Sequence, residues 1–320
     1  MKRIILFALA ICMTLCVSCK KDKDSSTNNG GGSTTPIKKI SEVYFGYYES
    51  YEVSYDDGQT WEEYGNYSCD DYLYISYNWE DDHLASIDYY DIEGNNYEHE
   101  SFSYNESDLV KRISSYYNYI WGNYTEDIEY TYNGNKIISF NAYFDDELYA
   151  SYDITYSGNK PTKFQCTYRS SYDYAVNDKP ERPRTHSNLL KQLKKAHSKD
   201  GELPYITLKW NGNNISKIEW FDEDYYSEET YTYDSKKSPF SGNNSLTAKT
   251  IFKDGLYKLS QNNIKSMAYG DNVDTYTYIY SDNYPTRQNT IFYYFYTDEE
   301  TGAIYRNTFD DHYEYIYLDD

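Results

Sequence analysis

Tyrosine recurs at every second position along much of this chain. YTYIY runs from Tyr276 to Tyr280, YEYIY from Tyr313 to Tyr317, and YTY begins at Tyr130 and again at Tyr231. Alternation of this kind puts every tyrosine of a string on one face of a β-strand. Tyr, Thr, Ile and Phe also favour the pleated, half-buried surface that a strand offers. With 45 tyrosines in 320 residues, such strings predict a chain that is nearly all strand.

Between the strings a unit recurs. YNGNKIISF at 132–140, YSGNKPTKF at 156–164 and WNGNNISKI at 210–218 share an aromatic anchor, a Gly-Asn turn, an apolar residue or Pro at plus five, and an apolar residue at plus eight. Looser copies are YNWEDDHLASI from Tyr77, YNESDLVKRI from Tyr104, NNIKSM from Asn262 and YSDNYPTRQ from Tyr280. The physics of the unit is a hairpin. Asn133-Gly134 and Asn211-Gly212 suit the positive φ of a tight I′ turn. The three-residue step from Ile137 to Phe140 is not strand periodicity, so the first apolar residue closes the turn or sits at a bulge. Pro161 and Pro285 fall at that closing position, where a missing N–H does least harm. At two strands per unit, the repeats predict about 14 to 18 antiparallel strands between Tyr44 and Leu318.

Two segments depart from the repeat. SYDDGQTW, Ser54 to Trp61, matches the Asp-box pattern S-x-D-x-G-x-T-W and resembles the structural hairpins of sialidases, which implies turn chemistry here. The other is a basic stretch with six Lys and Arg and no acid between Arg182 and Lys199. Ser187 or Asn188 can cap a helix there, Leu189, Leu190, Leu193, Ala196 and His197 form one stripe, and Gly201 and Pro204 end it. The predicted helical insertion spans about 185–200. It reads as an insertion between repeats, with a docking helix as the functional alternative.

The N-terminus carries the address. MKR precedes an apolar run from Ile4 to Val17, too short for the ~20 residues of a membrane-spanning helix. Ser18-Cys19 and the polar string KKDKDSSTNNGGGSTTP follow. This resembles a bacterial lipoprotein signal peptide and predicts cleavage before Cys19 and lipidation there. Such lipidation anchors a chain stably to a membrane. The expected organisation is a signal peptide at 1–18, a flexible linker at 19–36 and a tyrosine-rich β domain at 37–320. Of the cysteines left after cleavage, Cys69 and Cys166 could pair outside the cytoplasm, but two do not make a disulfide framework.

Charge and motifs then exclude classes. The formal net charge of −22 falls to −24 once Lys2 and Arg3 leave, and such a surface repels nucleic acid. The acidic clusters Asp56-Asp57, Asp81-Asp82, Asp145-Asp146, Asp222-Glu223-Asp224 and Asp310-Asp311 lack the spaced ligands and glycine of a calcium loop and read as solvated turns. No nucleophile elbow, Walker loop, zinc-protease helix or dinucleotide fingerprint occurs. No catalytic residue, metal ligand or cofactor is therefore assigned.

The Y-x-Y-[ND]-G-N-x-[IL]-x-x-[IF] unit resembles the tyrosine-aspartate repeats of Rhs-type shells. Together with the lipoprotein start, YTYDSKKSPF at 231–240, NNIKSM and YTYIYSDNYPTR, the chain resembles more closely Bacteroidota lipoproteins that carry domain of unknown function 4595, a family described as porin-like in fold. The resemblance covers about residues 70–320 and implies an envelope location and an extended antiparallel sheet. It brings no catalytic residues. CKKDKD resembles the charged tags that send such lipoproteins to the outer face, although the interrupting lysines leave periplasmic retention open.

The expected fold is all-β, an extended antiparallel meander of repeated hairpins forming a large curved or barrel-like sheet with one short helical insertion. The expected role is a lipid-anchored binding or scaffold protein for a glycan or an envelope partner. Trp61, Trp79 and Trp121 lie in or beside predicted turns and are the candidate ligand platforms. The alternative is a carbohydrate-active hydrolase with a carboxylate pair, which an acid-rich sequence can conceal. A transmembrane porin is the third option, against which stands the alternation of Tyr with Thr, Glu and Ser where lipid would require apolar residues.

Overall fold

The structure is a computed structural model that describes residues 38–119, 122–169, 203–222, 225–253, 255–270, 272–298 and 301–318. The leader, Cys19, Trp121 and the predicted helix at 185–200 lie outside these residues. The strands are β1 (Ile40–Ser54), β2 (Glu62–Glu80), β3 (His83–Tyr90), β4 (Asn96–Tyr104), β5 (Val110–Tyr119), β6 (Gly122–Asn133), β7 (Lys136–Phe144) and β8 (Glu147–Ser157). They continue as β9 (Lys160–Arg169), β10 (Tyr205–Asn211), β11 (Asn214–Asp222), β12 (Tyr225–Lys237), β13 (Asn262–Tyr269), β14 (Asn272–Ser281), β15 (Tyr284–Thr297) and β16 (Ile304–Tyr317). All 16 pair antiparallel with their sequence neighbours, and β1 pairs with β16, so the meander closes into a barrel.

The register explains the repeat. At one rim each hairpin carries an extra residue on its second strand: Thr131 faces Ser139, but Tyr132 faces Ile137, leaving Ile138 bulged outward. The bulge turns a three-residue step into two inward positions, so Ile137 and Phe140 are both buried. The same shift occurs at Trp79, Tyr104, Tyr156, Trp210, Tyr233 and Tyr280. It buries Leu84 with Ile87, Val110 with Ile113, Ile215 with Ile218, and Ile264 with Met267. The turn itself sits one residue later than the sequence suggests. Asn133 pairs with Lys136 and Asn211 with Asn214, so Gly134 and Gly212, at φ +59° and +56°, are first in their loops. In two of the two-residue acidic turns, Asp145-Asp146 and Asp282-Asn283, both loop residues adopt positive φ, as a I′ turn requires.

The anchors form a hydrogen-bond ladder around this rim. They reach across to the carbonyl of the apolar residue that opposes the anchor of the neighbouring hairpin: Tyr104 Oη to Leu84 O, Tyr132 Oη to Val110 O and Tyr156 Oη to Ile137 O, each at 2.8 Å. Trp210 Nε1 donates to Pro161 O, Trp79 Nε1 to Ile40 O and Tyr317 Oη to Pro285 O, each at 2.7 Å. The bulge frees those carbonyls from the ladder of the sheet, and the aromatic tips satisfy them.

The two wall faces differ in kind. Inward residues form two apolar clusters, one around Ile113, Ile128, Phe140, Phe164, Ile206 and Ile218, the other around Ile40, Val43, Phe45, Leu84 and Ile87. Outward residues form polar and ionic cross-strand pairs. Arg112 Nε donates to Asp127 at 2.9 Å, Lys209 to Glu219 at 2.9 Å, Arg287 to Glu314 at 3.0 Å and Arg306 to Glu52 at 2.7 Å. Lys217 pairs with Glu228, and Asn78 bonds Ser86 and Asp88. Exposed pairs of this kind are worth only ~0–1 kcal/mol each, and between them the outer face also exposes Tyr48, Ile138, Val273, Ile279, Ile291, Tyr293 and Phe295.

One hairpin lacks its tight turn. Between β12 and β13 the chain runs inside the barrel as a plug, with helix α1 (Asn244–Phe252) and a 3-10 turn (Leu256–Leu259). Asn243 caps α1 by accepting from the Ser245 and Leu246 amides at 2.9 and 3.1 Å. Leu246 joins one apolar cluster, and Ala248, Ile251 and Leu256 join the other. Tyr130 Oη bonds Ala248 O at 2.8 Å and fixes the helix to the wall. This helix was not foreseen, and it is the one α-helix among the described residues.

Candidate functional site

The plug brings charge into the barrel. Lys249 and Lys253, four residues apart on α1 and at its C-terminus, are buried against Glu98 and Glu100 of β4 and Glu126 of β6. Lys253 Nζ lies 3.0 Å from Glu100, 3.4 Å from Glu126 and 3.5 Å from Glu98, and it also donates to Tyr117 Oη at 3.1 Å and to Ser115. Lys249 Nζ is 3.6 Å from Glu100. Tyrosines complete the shell: Tyr89 donates to Glu100 at 3.1 Å, and Tyr117 and Tyr149 donate to Glu126 at 3.1 and 2.6 Å. The ammonium of Lys253 stands at the centre of three carboxylates, where a cation belongs. Buried ions persist only when paired and hydrogen-bonded, and this cluster meets that condition.

At the end away from the ladder, β15, β16, β1 and β2 run longer than the other strands and extend the wall. The register sorts their side chains into rows. On the inner face Tyr294, Asn307, Tyr51 and Gly65 stand side by side, and the next row inward is Phe292, Phe309, Glu49 and Tyr67. Thr290, Asp311, Tyr47 and Cys69 follow. Tyr51 makes ring contacts with Tyr64 and Tyr67 at 6.1 and 5.8 Å, and Tyr64 meets Tyr305 edge-on at 6.0 Å. Tyr51 Oη donates to Glu49 at 2.6 Å. Tyr64, Tyr67 and Tyr294 remain 55%, 65% and 57% exposed. Gly65 lies opposite Tyr51, where a Cβ would touch the ring at 4.0 Å. The face is thus flat apolar area edged by a carboxylate and an amide.

The outer face of the same extension carries the Asp box. Ser54 Oγ donates to Asp56 at 2.7 Å and accepts from the Gly58 amide at 2.9 Å, while Asp56 accepts from the Thr60 amide and hydroxyl at 2.8 and 2.6 Å. The Thr60 hydroxyl, then its amide, then Ser54 hold the Asp56 carboxyl down to about 2. Trp61 packs under this turn, 3.5 Å from where a Cβ on Gly58 would lie, with Arg306 4.3 Å over its ring and Phe295 edge-on. Arg306 is in turn bonded to Glu52, which lowers the Glu52 carboxyl.

Of the other tryptophan positions, Trp79 is half-buried in the rim ladder beneath Lys39, and Trp121 lies outside the described residues. Cys69 and Cys166 are both free, the first half-buried on the inner face of β2 and the second buried on β9, where burial raises its thiol. The acidic pairs Asp56-Asp57, Asp81-Asp82 and Asp145-Asp146 occupy turns, whereas Asp310 and Asp311 lie within β16, paired to β1 and β15, with Asp311 buried on its inner face, because period two carries the strand through them. The sequence reading missed the Lys–Glu cluster. Its signal was phase: Glu98 and Glu100 share parity with Phe102 and the anchor Tyr104, and Glu126 with Tyr130 and Tyr132.

No family model matches the chain, and no curated protein matches it. Among solved structures it is similar to a porin-like protein from Bacteroides uniformis ATCC 8492 at 12% identity and TM-score 0.39, covering 88% of this chain and 99% of that one. It is similar to a porin-like protein from Bacteroides vulgatus ATCC 8482 at 11% identity and TM-score 0.30, with the same coverage. The attachment invasion locus protein Ail of Yersinia pestis follows at 8% identity and TM-score 0.16, covering 87% of this chain and 99% of that one. At such levels of similarity the barrel rests on its own strand order and register.

Proposed function

We infer that this chain is a glycan-binding protein whose ligand lies on the inner face of the four-strand extension. The observation that carries this reading is the row of exposed tyrosines, Tyr51, Tyr64, Tyr67 and Tyr294, standing beside Glu49 and Asn307. Tyrosine faces stack against the apolar faces of sugar rings, while carboxylates and amides take their hydroxyls. Trp61 stands on the opposite face beneath Arg306, outside this ligand site. The lipoprotein-like leader and the resemblance to domain of unknown function 4595 support attachment through a lipid on Cys19 at the bacterial envelope. The cross-strand ion pairs on the outer wall support a division of labour in which the lipid and not the barrel meets the membrane.

One arrangement favours a second reading. Glu49 and Asp311 are diagonal neighbours on the inner face across β1 and β16, which puts their backbones about 7–8 Å apart and their carboxyl groups within reach of a glycosidase-like pairing. A glycan array probed with the purified protein, followed by product analysis of each hit, separates the two. The binding reading predicts hits recovered intact; cleavage that Asp311→Asn abolishes moves the protein to the hydrolases, and an empty array removes the glycan reading.

A further inference from the structure

Charge is sorted across the wall of the four-strand extension. β1, β2, β15 and β16 hold three cationic side chains, Arg287, Arg306 and His312. The register turns all three outward, where Glu314, Glu52 and Asp71 pair with them. The inner face keeps only acids. Glu49 stands between Tyr67 and Phe309 in its row, and Glu62, opposite Val53 on the same face, begins β2 in the open. Neither carboxylate has a cationic partner among the described residues, and Glu49 accepts from the neutral Tyr51 hydroxyl. Asp311, deeper in the barrel, shares a cavity wall with Lys249, Lys253 and Lys258 of the plug, so Glu49 and Glu62 are the acids that a ligand on the extension meets.

Aromatic rings surround these two carboxylates at steep angles. Tyr51 meets Tyr67 at 86° and Tyr64 meets Tyr305 at 88°. Ring faces carry negative partial charge, and a cation within about 6 Å of a tyrosine ring is drawn to its face. A carboxylate beside the rings adds a charge-assisted hydrogen bond. An anionic sugar meets the reverse: its own carboxylate or sulfate would approach Glu49 and Glu62 on a face that carries no cation of its own. A neutral sugar stacks on the tyrosines but leaves both acids without a counter-charge.

We propose that the ligand of the inner face is a cationic glycan, one whose hexosamine residues carry free amines, with the ammonium groups held by Glu49, Glu62 and the tyrosine rings. For its ligand class this rests on the glycan reading above; the sorting of charge does not depend on it. The test is calorimetric titration of the full-length protein at mildly acidic pH, held in an uncharged polyoxyethylene detergent. The titrants are an oligomer of glucosamine, the same oligomer N-acetylated, an oligomer of glucuronate, and pentalysine as a cation without sugar. The variants are Glu49→Gln, Glu62→Gln, Tyr67→Ala and, as an outer-face control at the same end, Asp57→Asn, whose positive φ asparagine tolerates.

The glucosamine oligomer should bind about tenfold or more tighter than its acetylated counterpart. That margin should shrink in Glu49→Gln and Glu62→Gln and at high salt, while Asp57→Asn leaves it in place. Tyr67→Ala should weaken both oligomers, and glucuronate should bind least. Equal or tighter binding of the acetylated or the glucuronate oligomer overturns the proposal and keeps the glycan reading. A margin that survives both Glu49→Gln and Glu62→Gln does the same, and so does one that Asp57→Asn reduces equally, since it then reports the acidity of the whole chain. If no sugar oligomer binds, the proposal and the glycan reading fall together, and pentalysine binding lost in Glu49→Gln and Tyr67→Ala then assigns the face to a cationic peptide.

Discussion

Replacing Lys253 by methionine keeps the length of the side chain and removes its charge, which tests the buried cluster directly. The ammonium lies 3.0 to 3.5 Å from three buried carboxylates. At an effective dielectric of about 20, each such contact is roughly 5 kcal/mol of gross attraction, most of it offset by the cost of taking the ions out of water. The loss on removing one partner is therefore about 3–5 kcal/mol, because the carboxylates remain where they are. Each kcal/mol moves the midpoint by about 2–4 °C in a chain of this size, so Lys253→Met should melt roughly 6–20 °C below the wild type. Circular dichroism melts and urea unfolding measure it, the second with an unchanged slope. Adding Glu98→Gln and Glu126→Gln leaves Glu100 with Lys249 and should recover more than half of the loss. A single variant within about 1 kcal/mol of wild type, or a triple variant less stable than the single, would refute the claim that Lys253 neutralises this cluster.

Two further outcomes follow from the tyrosines. Burial raises Tyr231, Tyr276, Tyr278 and Tyr313 well above the ordinary value and Tyr156 to about 12. Raised folded values mean that the unfolded chain releases these protons first. Stability is thus intact below about pH 10 and falls as pH rises past it. The tyrosinate absorbance should show a late phase that coincides with loss of the sheet signal; one reversible step near 10 with the fold kept would contradict this. At the rim, Tyr132→Phe removes the bond to Val110 O and should cost about 1 kcal/mol, read as a lower urea midpoint. The same change at exposed Tyr55, for which no ladder bond exists among the described residues, should leave the midpoint in place.

The hairpin repeat was legible because its physics is local. Period two set the strands, and the three-residue step from Ile137 to Phe140 betrayed the bulge that the register shows. The purpose of the anchor aromatic was not legible, since its acceptor is a backbone carbonyl on another hairpin and leaves no mark on composition. Closure was hidden for the same reason: β1 and β16 meet across the whole length of the chain, and the turn-free ends of a meander do not name their partner. The plug was obscured by its own brevity. NSLTAKTIFK has a good cap in Asn243 but two lysines, Lys249 and Lys253, on a short apolar segment, which reads as surface until the inward parity of Glu98, Glu100 and Glu126 supplies their counter-charges. Trp61 could be placed in a turn from the Asp box, whereas the inner tyrosine rows needed the register of four strands at once.

The glycan reading is tested most directly by the affinity of the best array-selected glycan for the wild type, Tyr67→Ala and Trp61→Ala. Tyr67 and Trp61 sit on opposite faces of one extension, so the pair reports which face holds the ligand. Loss of a stacked, exposed ring should cost about 1–2 kcal/mol, which is roughly five- to thirtyfold in Kd. Calorimetry should show that loss in Tyr67→Ala and an unchanged Kd in Trp61→Ala; a loss confined to Trp61→Ala, or binding indifferent to both, would contradict the assignment of the inner face as the ligand site.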